Sequence, residues 1–393
     1  MKKLNLILAS VVLFTMSCKG NSKQDTAFAD NATVGTKTVI ETSVLTAKKK
    51  NTIKVALLLD TSNSMDGLIH QAKAQLWEIV NELSYAKCDN EKPNLEIALY
   101  EYGNDNLPSS EGHIRQVLAF SNDLDEISEK LFSLTTRGGN EFCGHVIQTS
   151  IDQLNWGTND KDLKLLFIAG NEPFTQGRVN YKDAITNAIE KDVVVNTIFC
   201  GSYEQGISGM WKDGAVLGKG DYMTIAHTQS IVHVKTPYDK KIMEYNTKLN
   251  KTYIGYGKKG SINTLRQSAQ DANAISVDEE IAVERAVSKS SGLYKNSSWD
   301  LVDAVENDEV KIEELSKAEL PQELKGKSKE EIATYVKKQR DNRKKIQQEI
   351  RKLDAQRKSF ISNLRKTDAT KSDLESAIIK AIKTQAARKN YVW

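Results

Sequence analysis

Cysteine is scarce in this chain, with four residues in 393, at positions 18, 88, 143 and 200. No two of them form a Cys-x-x-Cys pair, which removes the redox and metal chemistries that such pairs carry. A Gly-x-Ser-x-Gly elbow and a Gly-rich phosphate-cradling loop are also absent, so the commonest hydrolase and nucleotide-binding signatures are missing. His70, His113, His227 and His233 are scattered without a ligand spacing. Charge of one sign is lacking too: 55 basic residues against 52 acidic ones leave a net +3, which argues neither for nor against a nucleic-acid partner. After the first 14 residues no apolar stretch approaches the ~20 residues needed to span a bilayer. What remains, 39% hydrophobic and 27% charged over 393 residues, is the composition of a soluble globular body of one or two domains.

The N-terminus reads as a targeting segment. Lys2 and Lys3 precede the apolar run Leu4 to Phe14, and small or polar residues lead on to Cys18. "FTMSC" resembles the lipobox of a bacterial lipoprotein, with Thr15 in place of the usual Leu and Cys18 as the lipidated residue. The alternative is an ordinary cleaved signal peptide with an incidental Cys. The expectation is residues 1–17 as signal peptide and 18–50 as a polar, flexible tether, with the folded part exported and held to a membrane by lipid.

From Thr52 onward, strand and helix patterns alternate. "IKVALLLD" and "LKLLFIAG" are continuous apolar runs of the kind buried on both faces of a parallel sheet. "LEIALYEYG", "VVVNTIFCG" and, at an edge, "GDYMTIAH" add strands; Val117 to Phe120 suggests another. "DEISEKLFSL", "CGHVIQTSIDQL" and "YKDAITNAIEKD" read as helices. The fold class is therefore α/β, a doubly wound and mainly parallel sheet over 51–235. A helical and irregular extension follows over 236–310, then a basic, coiled-coil-like helical region over 311–393. Between Lys337 and Lys366 twelve basic residues face three acidic ones, with an apolar stripe through Ile346, Ile350, Leu353, Phe360, Ile361 and Leu364.

"LLLDTSNSMDGLI" carries the functional question. A carboxylate and two hydroxyls on alternate residues, Asp60, Ser62 and Ser64, follow a buried strand, where open α/β sheets bind ligands. Such oxygens suit a hard cation, Mg²⁺ or else Mn²⁺ or Ca²⁺; they also suit the N-terminus of a helix, whose free amides they would cap. This stretch resembles the von Willebrand factor type A domain, whose metal-ion-dependent adhesion site is built on Asp-x-Ser-x-Ser. "DTSNSMDGLIHQAK", "GGNEFCG" and "LNKTYIGYG" together resemble a group of envelope lipoproteins carrying that domain. The resemblance implies a metal held by Asp60, Ser62 and Ser64. It also implies a Thr where Asn140 stands, with Thr135, Thr136 or Glu141 as substitutes. An Asp is implied after "LLFI", where the chain reads Ala169, Gly170, Asn171; Asn171 or Glu172 then compensates.

Cys143 and Cys200 both fall at the carboxyl end of the sheet. In an exported compartment they are expected to bridge, leaving Cys88 over; two buried free thiols are the alternative. His145, two residues from Cys143, invites a Cys–His nucleophile, but neighbours two apart seldom face each other. The expectation is a non-enzymatic binding or adhesion module of the cell envelope, periplasmic or surface-exposed. It takes a protein or glycan partner through the metal and an acidic group, is held to the membrane by its lipid, and has no nucleic-acid partner. A structural scaffold with a degenerate metal site, making its contacts through the C-terminal helices, is the runner-up; a hydrolase stands last.

Overall fold

The computed structural model describes residues 50–225, 234–367 and 374–393. The targeting segment, Cys18, the tether up to residue 49, His227 and His233 lie outside them. The strands are β1 (Thr52–Asp60), β2 (Lys87–Cys88), β3 (Asn94–Tyr102), β4 (Ile114–Ser121), β5 (Leu163–Gly170), β6 (Val194–Cys200), β7 (Lys219–Ile225) and β8 (Tyr391–Val392). The helices are α1 (Asp66–Leu83), α2 (Leu124–Phe132), α3 (Cys143–Gln153), α4 (Tyr181–Glu190), α5 (Tyr203–Ser208), α6 (Trp211–Leu217), α7 (Asp239–Asn250), α8 (Gly260–Val277), α9 (Glu279–Lys289), α10 (Leu301–Glu306), α11 (Lys329–Thr367) and α12 (Leu374–Ala387).

Six strands form one sheet in the order β4-β3-β1-β5-β6-β7. All neighbours are parallel except the edge pair β3–β4. β1 is central because its residues are apolar on both faces. Ile53, Val55 and Leu59 pack with Ile69, Leu76, Trp77 and Val80 of α1. Ala56 and Leu58 pack with Val146 and Ile147 of α3, Ile185 of α4 and Trp211 of α6. The one cation in β1, Lys54, is buried yet satisfied: its Nζ donates to Asn155 O (2.5 Å) and lies 3.3 Å from Glu96.

Residues Lys49–Trp393 form one compact unit, so the pattern changes near 235 and 310 do not separate independent bodies. After α11 the chain returns to the sheet. Ile378, Ile382 and Ala386 of α12 join the core under α1, and β8 pairs antiparallel with β2. The seam of α11 is not purely apolar. Buried arginines alternate with aliphatics along it, and each is answered by acids from other helices. Arg343 pairs with Asp300 (2.6 Å) and Asp303 (2.5 Å), and Arg357 with Asp239 (3.0 Å), Glu280 (2.6 Å) and Glu284. A third clamp, Arg285 with Asp125 (2.8 Å) and Asp271 (2.6 Å), ties α9 to α2 and α8. Buried arginines stay charged, so such clamps cost several kcal/mol to break from one side and fix which helices meet. Among the described residues no helix is long and apolar enough to cross a membrane.

Candidate functional site

The carboxyl end of β1 delivers Asp60 to the rim of the sheet, fully buried (0% exposed). Its Oδ1 accepts from the backbone N–H of Ser62 at 2.7 Å, folding the turn back on itself before a short 3-10 turn, Asn63–Met65, leads into α1. Its Oδ2 is buried without a partner. Ser62 Oγ and Ser64 Oγ lie 3.1 Å apart. The capping alternative is not realised: Met65 precedes α1, and no side chain caps that helix.

Glu141, from the loop before α3, closes on the same point. It is 4% exposed, its backbone N–H donates to Gln176 Oε1 (3.1 Å), and its Oε2 is buried without a partner. Burial, and then the neighbouring Glu141 charge, pushes the Asp60 carboxyl well above its ordinary value. Burial raises Glu141 as well. Two carboxyls so close need backbone to stand aside, and Gly103 at the end of β3 does so. Its φ is +76°, and a Cβ there would lie 2.6 Å from Glu141 Cγ and 2.9 Å from Asp60 Oδ1.

Asn171, just beyond β5, donates from Nδ2 to Ser64 Oγ (3.1 Å), while its Oδ1 is buried and unpartnered. Gly170 before it is dictated by space. A Cβ at 170 would meet Tyr102 Oη at 2.5 Å and Asp60 Oδ2 at 3.2 Å. Tyr102 Oη in turn donates to Ala169 O (2.9 Å), locking the end of β3 to the end of β5. The structure thus brings Asp60, Ser62, Ser64, Glu141 and Asn171 together. Asn140 is exposed, and no hydrogen bond or ion pair ties it to the other five. Thr135 is exposed, and its carbonyl accepts from Asn104 Nδ2 (2.9 Å). Gly103 and Tyr102 were missed in the sequence; the only signal was a glycine following directly on a strand.

The expected Cys143–Cys200 bridge is not formed: both are buried free thiols. The reason is side-chain alternation. Cys143 packs on the face of the sheet covered by α3 and α4, with Sγ 3.8 Å from Tyr102 Oη, whereas Cys200 at the end of β6 points into the opposite core. Burial pushes the Cys143 thiol far up, and the His145 ring lies against Gly112.

Three buried oxygens therefore gather at one rim without a fixed donor, Asp60 Oδ2, Glu141 Oε2 and Asn171 Oδ1, the two carboxyls lying close enough to share a proton between them. Buried polar atoms are nearly always partnered. Among the described residues no three His, Cys, Asp or Glu side chains gather around one point; the set is two carboxylates, two hydroxyls and an amide. That all-oxygen chemistry fits a hard divalent cation. Residues 54–208 match the family model of the von Willebrand factor type A domain. The match spans less than half of the chain; β7, which completes the sheet, and α12, which packs in its core, follow it. No curated protein matches. Among solved structures, the conserved hypothetical protein BatB from Bacteroides thetaiotaomicron is 18% identical, with a TM-score of 0.35, covering 44% of this chain and 90% of that one. The SpRpn10 VWA domain is 16% identical, with a TM-score of 0.35, over 46% of this chain and 90% of that one. An aerotolerance-related membrane protein from Bacteroides fragilis NCTC 9343 is 16% identical, with a TM-score of 0.29, over 44% and 91%.

Proposed function

We propose that this protein is a lipid-anchored binding module of the cell envelope whose VWA domain holds a divalent cation, Mg²⁺ or else Mn²⁺ or Ca²⁺, and through it an acidic group of a protein or glycan partner. The observation that carries this reading is the trio of buried, unpartnered oxygens on Asp60, Glu141 and Asn171. Asp60, Ser62 and Ser64 supply the turn, and Glu141 takes over the second charge that Gly170 cannot carry. A metal bound there would supply an electrophilic site for a carboxylate. The chain's own part is to orient these oxygens, and the buried, protonated-range thiol of Cys143 supports binding rather than nucleophilic catalysis.

Calorimetric titration of the metal into the protein tests the site: saturable binding that is lost in Asp60→Ala is expected, and no binding refutes it. Affinity capture from envelope extracts with and without chelator tests the function. Partners that survive chelation but are lost when the basic face of α11 is neutralised would replace this reading with the scaffold, for which the ion-clamped helical region speaks.

A further inference from the structure

The helix α8 reverses the usual amphipathic order. Surface helices turn an apolar stripe to the core and polar residues to water. In α8 the core side carries Asn263, Gln267 and Gln270, all buried and each one answered. Asn263 Oδ1 accepts from Arg266 (2.9 Å), Gln267 Nε2 donates to Tyr294 Oη (2.9 Å), and Gln270 Oε1 accepts from Ser128 Oγ (2.8 Å). The outward side carries Ile262, Leu265 and Ile275, which are 62%, 71% and 57% exposed. Leu265 is the most exposed large apolar residue among the described residues.

The rest of that side is small and uncharged: Ser261, Thr264, Ser268, Ala269, Ala272 and Ser276. Both charges of the helix are turned off it. Arg266 is held by Asp123 (3.7 Å) and Glu129 (3.0 Å), and Asp271 by Arg285 (2.6 Å) and Lys289 (3.0 Å). In a chain that is 27% charged, this leaves an uncharged strip along the whole of an 18-residue helix. Such a strip is the kind of surface that meets another protein.

Two features say which protein. At ~100° per residue, Leu265, Ser268, Ala272 and Ile275 fall on one row, within ~80° of each other. In size the row reads large, small, small, large, the same in both directions. A twofold interface needs a patch complementary to itself, and an antiparallel second copy of α8 meets that need. The small residues cross at the centre, where packed helix axes approach to about 8–10 Å, and each Leu265 meets Ile275 of the partner subunit. The charges at the ends agree. Lys258 and Lys259 stand just before α8, exposed, with no side-chain hydrogen bond or ion pair among the described residues. Positive charge there is unfavourable to the helix itself. Asp278 and Glu279 follow its other end; Asp278 caps α9, and Glu279 is exposed, 3.8 Å from an equally exposed Lys235. Antiparallel pairing sets each basic end against an acidic one, whereas parallel pairing sets like against like.

We propose that the outward face of α8 is the interface of a homodimer, two copies of the helix packing antiparallel about a twofold axis between Ser268 and Ala272. A strip about 27 Å long and about 10 Å wide falls short of the ~800 Å² per partner of a standard interface, so the dimer forms in the micromolar range. No residue of α8 belongs to the metal site, and the inference stands apart from it.

Sedimentation velocity of the whole protein, from low to high micromolar concentration, tests this. A monomer–dimer equilibrium is expected. Leu265→Asp, at a position too exposed to alter the melting temperature of the monomer, weakens association by at least about tenfold, because it buries two charges in the interface. Lys259→Glu or Glu279→Lys alone weakens it by about fivefold, since like charges then face each other at both ends, and the two together restore it. A parent that stays monomeric across the range overturns the proposal. So does a dimer that Leu265→Asp leaves intact, which would place the interface elsewhere. A double charge variant that associates more weakly than either single one also overturns it, because the ends would then not face each other.

Discussion

Replacing Glu141 by Gln has opposite consequences for the metal-free and metal-loaded protein. The variant keeps size and shape but removes the buried carboxylate whose charge helps to raise the Asp60 carboxyl, while Asp60 hydrogen-bonds back to it. Two unit charges at ~4 Å repel by ~4 kcal/mol at the effective dielectric near a protein surface. Proton uptake by one member caps the penalty, so relief of about 1–3 kcal/mol is expected in the metal-free protein. With ~2–4 °C of melting temperature per kcal/mol for domains somewhat smaller than this one, metal-free Glu141→Gln melts several degrees above the parent. In millimolar Mg²⁺ the order reverses, because the loaded parent gains RT ln(1 + [L]/Kd) and the variant, short of one charged ligand, gains less. Differential scanning calorimetry with chelator and with Mg²⁺ reads both arms. A variant that melts lower than the parent in chelator and binds Mg²⁺ equally well would show Glu141 to be a structural residue and sink the argument.

Gly170→Asp, which restores the acid that the family resemblance places there, is expected to lose about 1–3 kcal/mol and to bind metal no better, since its Cβ meets Tyr102 Oη at 2.5 Å; tighter binding by this variant would refute the steric account. Arg357→Met leaves Asp239, Glu280 and Glu284 facing one another without their cation. A loss of about 3–5 kcal/mol in denaturant unfolding is expected, and a loss under about 1 kcal/mol would mean that the clamp does not hold α11 in place. For pH the sign follows from the raised Asp60 carboxyl. The metal-free fold holds more protons than the unfolded chain between the ordinary value of ~3.9 and the higher folded one. This group's contribution to metal-free stability therefore rises as pH falls through that window, whereas metal affinity falls. Melting curves across the window with chelator and with Mg²⁺ should diverge as pH rises, and parallel curves would contradict the paired-carboxyl site.

The parallel sheet was legible in the amino-acid order because its cause is local. A strand buried on both faces must be apolar at every position, and "KVALLLD" and "LKLLFIAG" satisfy that without reference to the rest of the chain. The turn from Asp60 to Ser64 was legible for the same reason, being a strand end followed at once by a helix. The remainder of the site depends on which loops cross the rim. Glu141 rather than Asn140 reaches Asp60 because the positive φ of Gly103 opens room there. Gly170 excludes a side chain because a tyrosine from another strand occupies its space. The cysteines lie near the same rim, but their side chains enter opposite cores, and proximity along a rim says nothing about which face a side chain takes. The heptad spacing in α11 likewise marked a helix with a basic surface, but not which basic residues were committed to partners. Only packing assigned Arg343 and Arg357 to the interior and left Lys338, Lys345 and Lys352 in solvent. Local periodicity thus determined the elements and the place of the opening turn; the convergence of residues from β1, β3, β5 and one loop on three unpartnered oxygens was decided by tertiary structure, because burial without a partner is a property of what surrounds an atom.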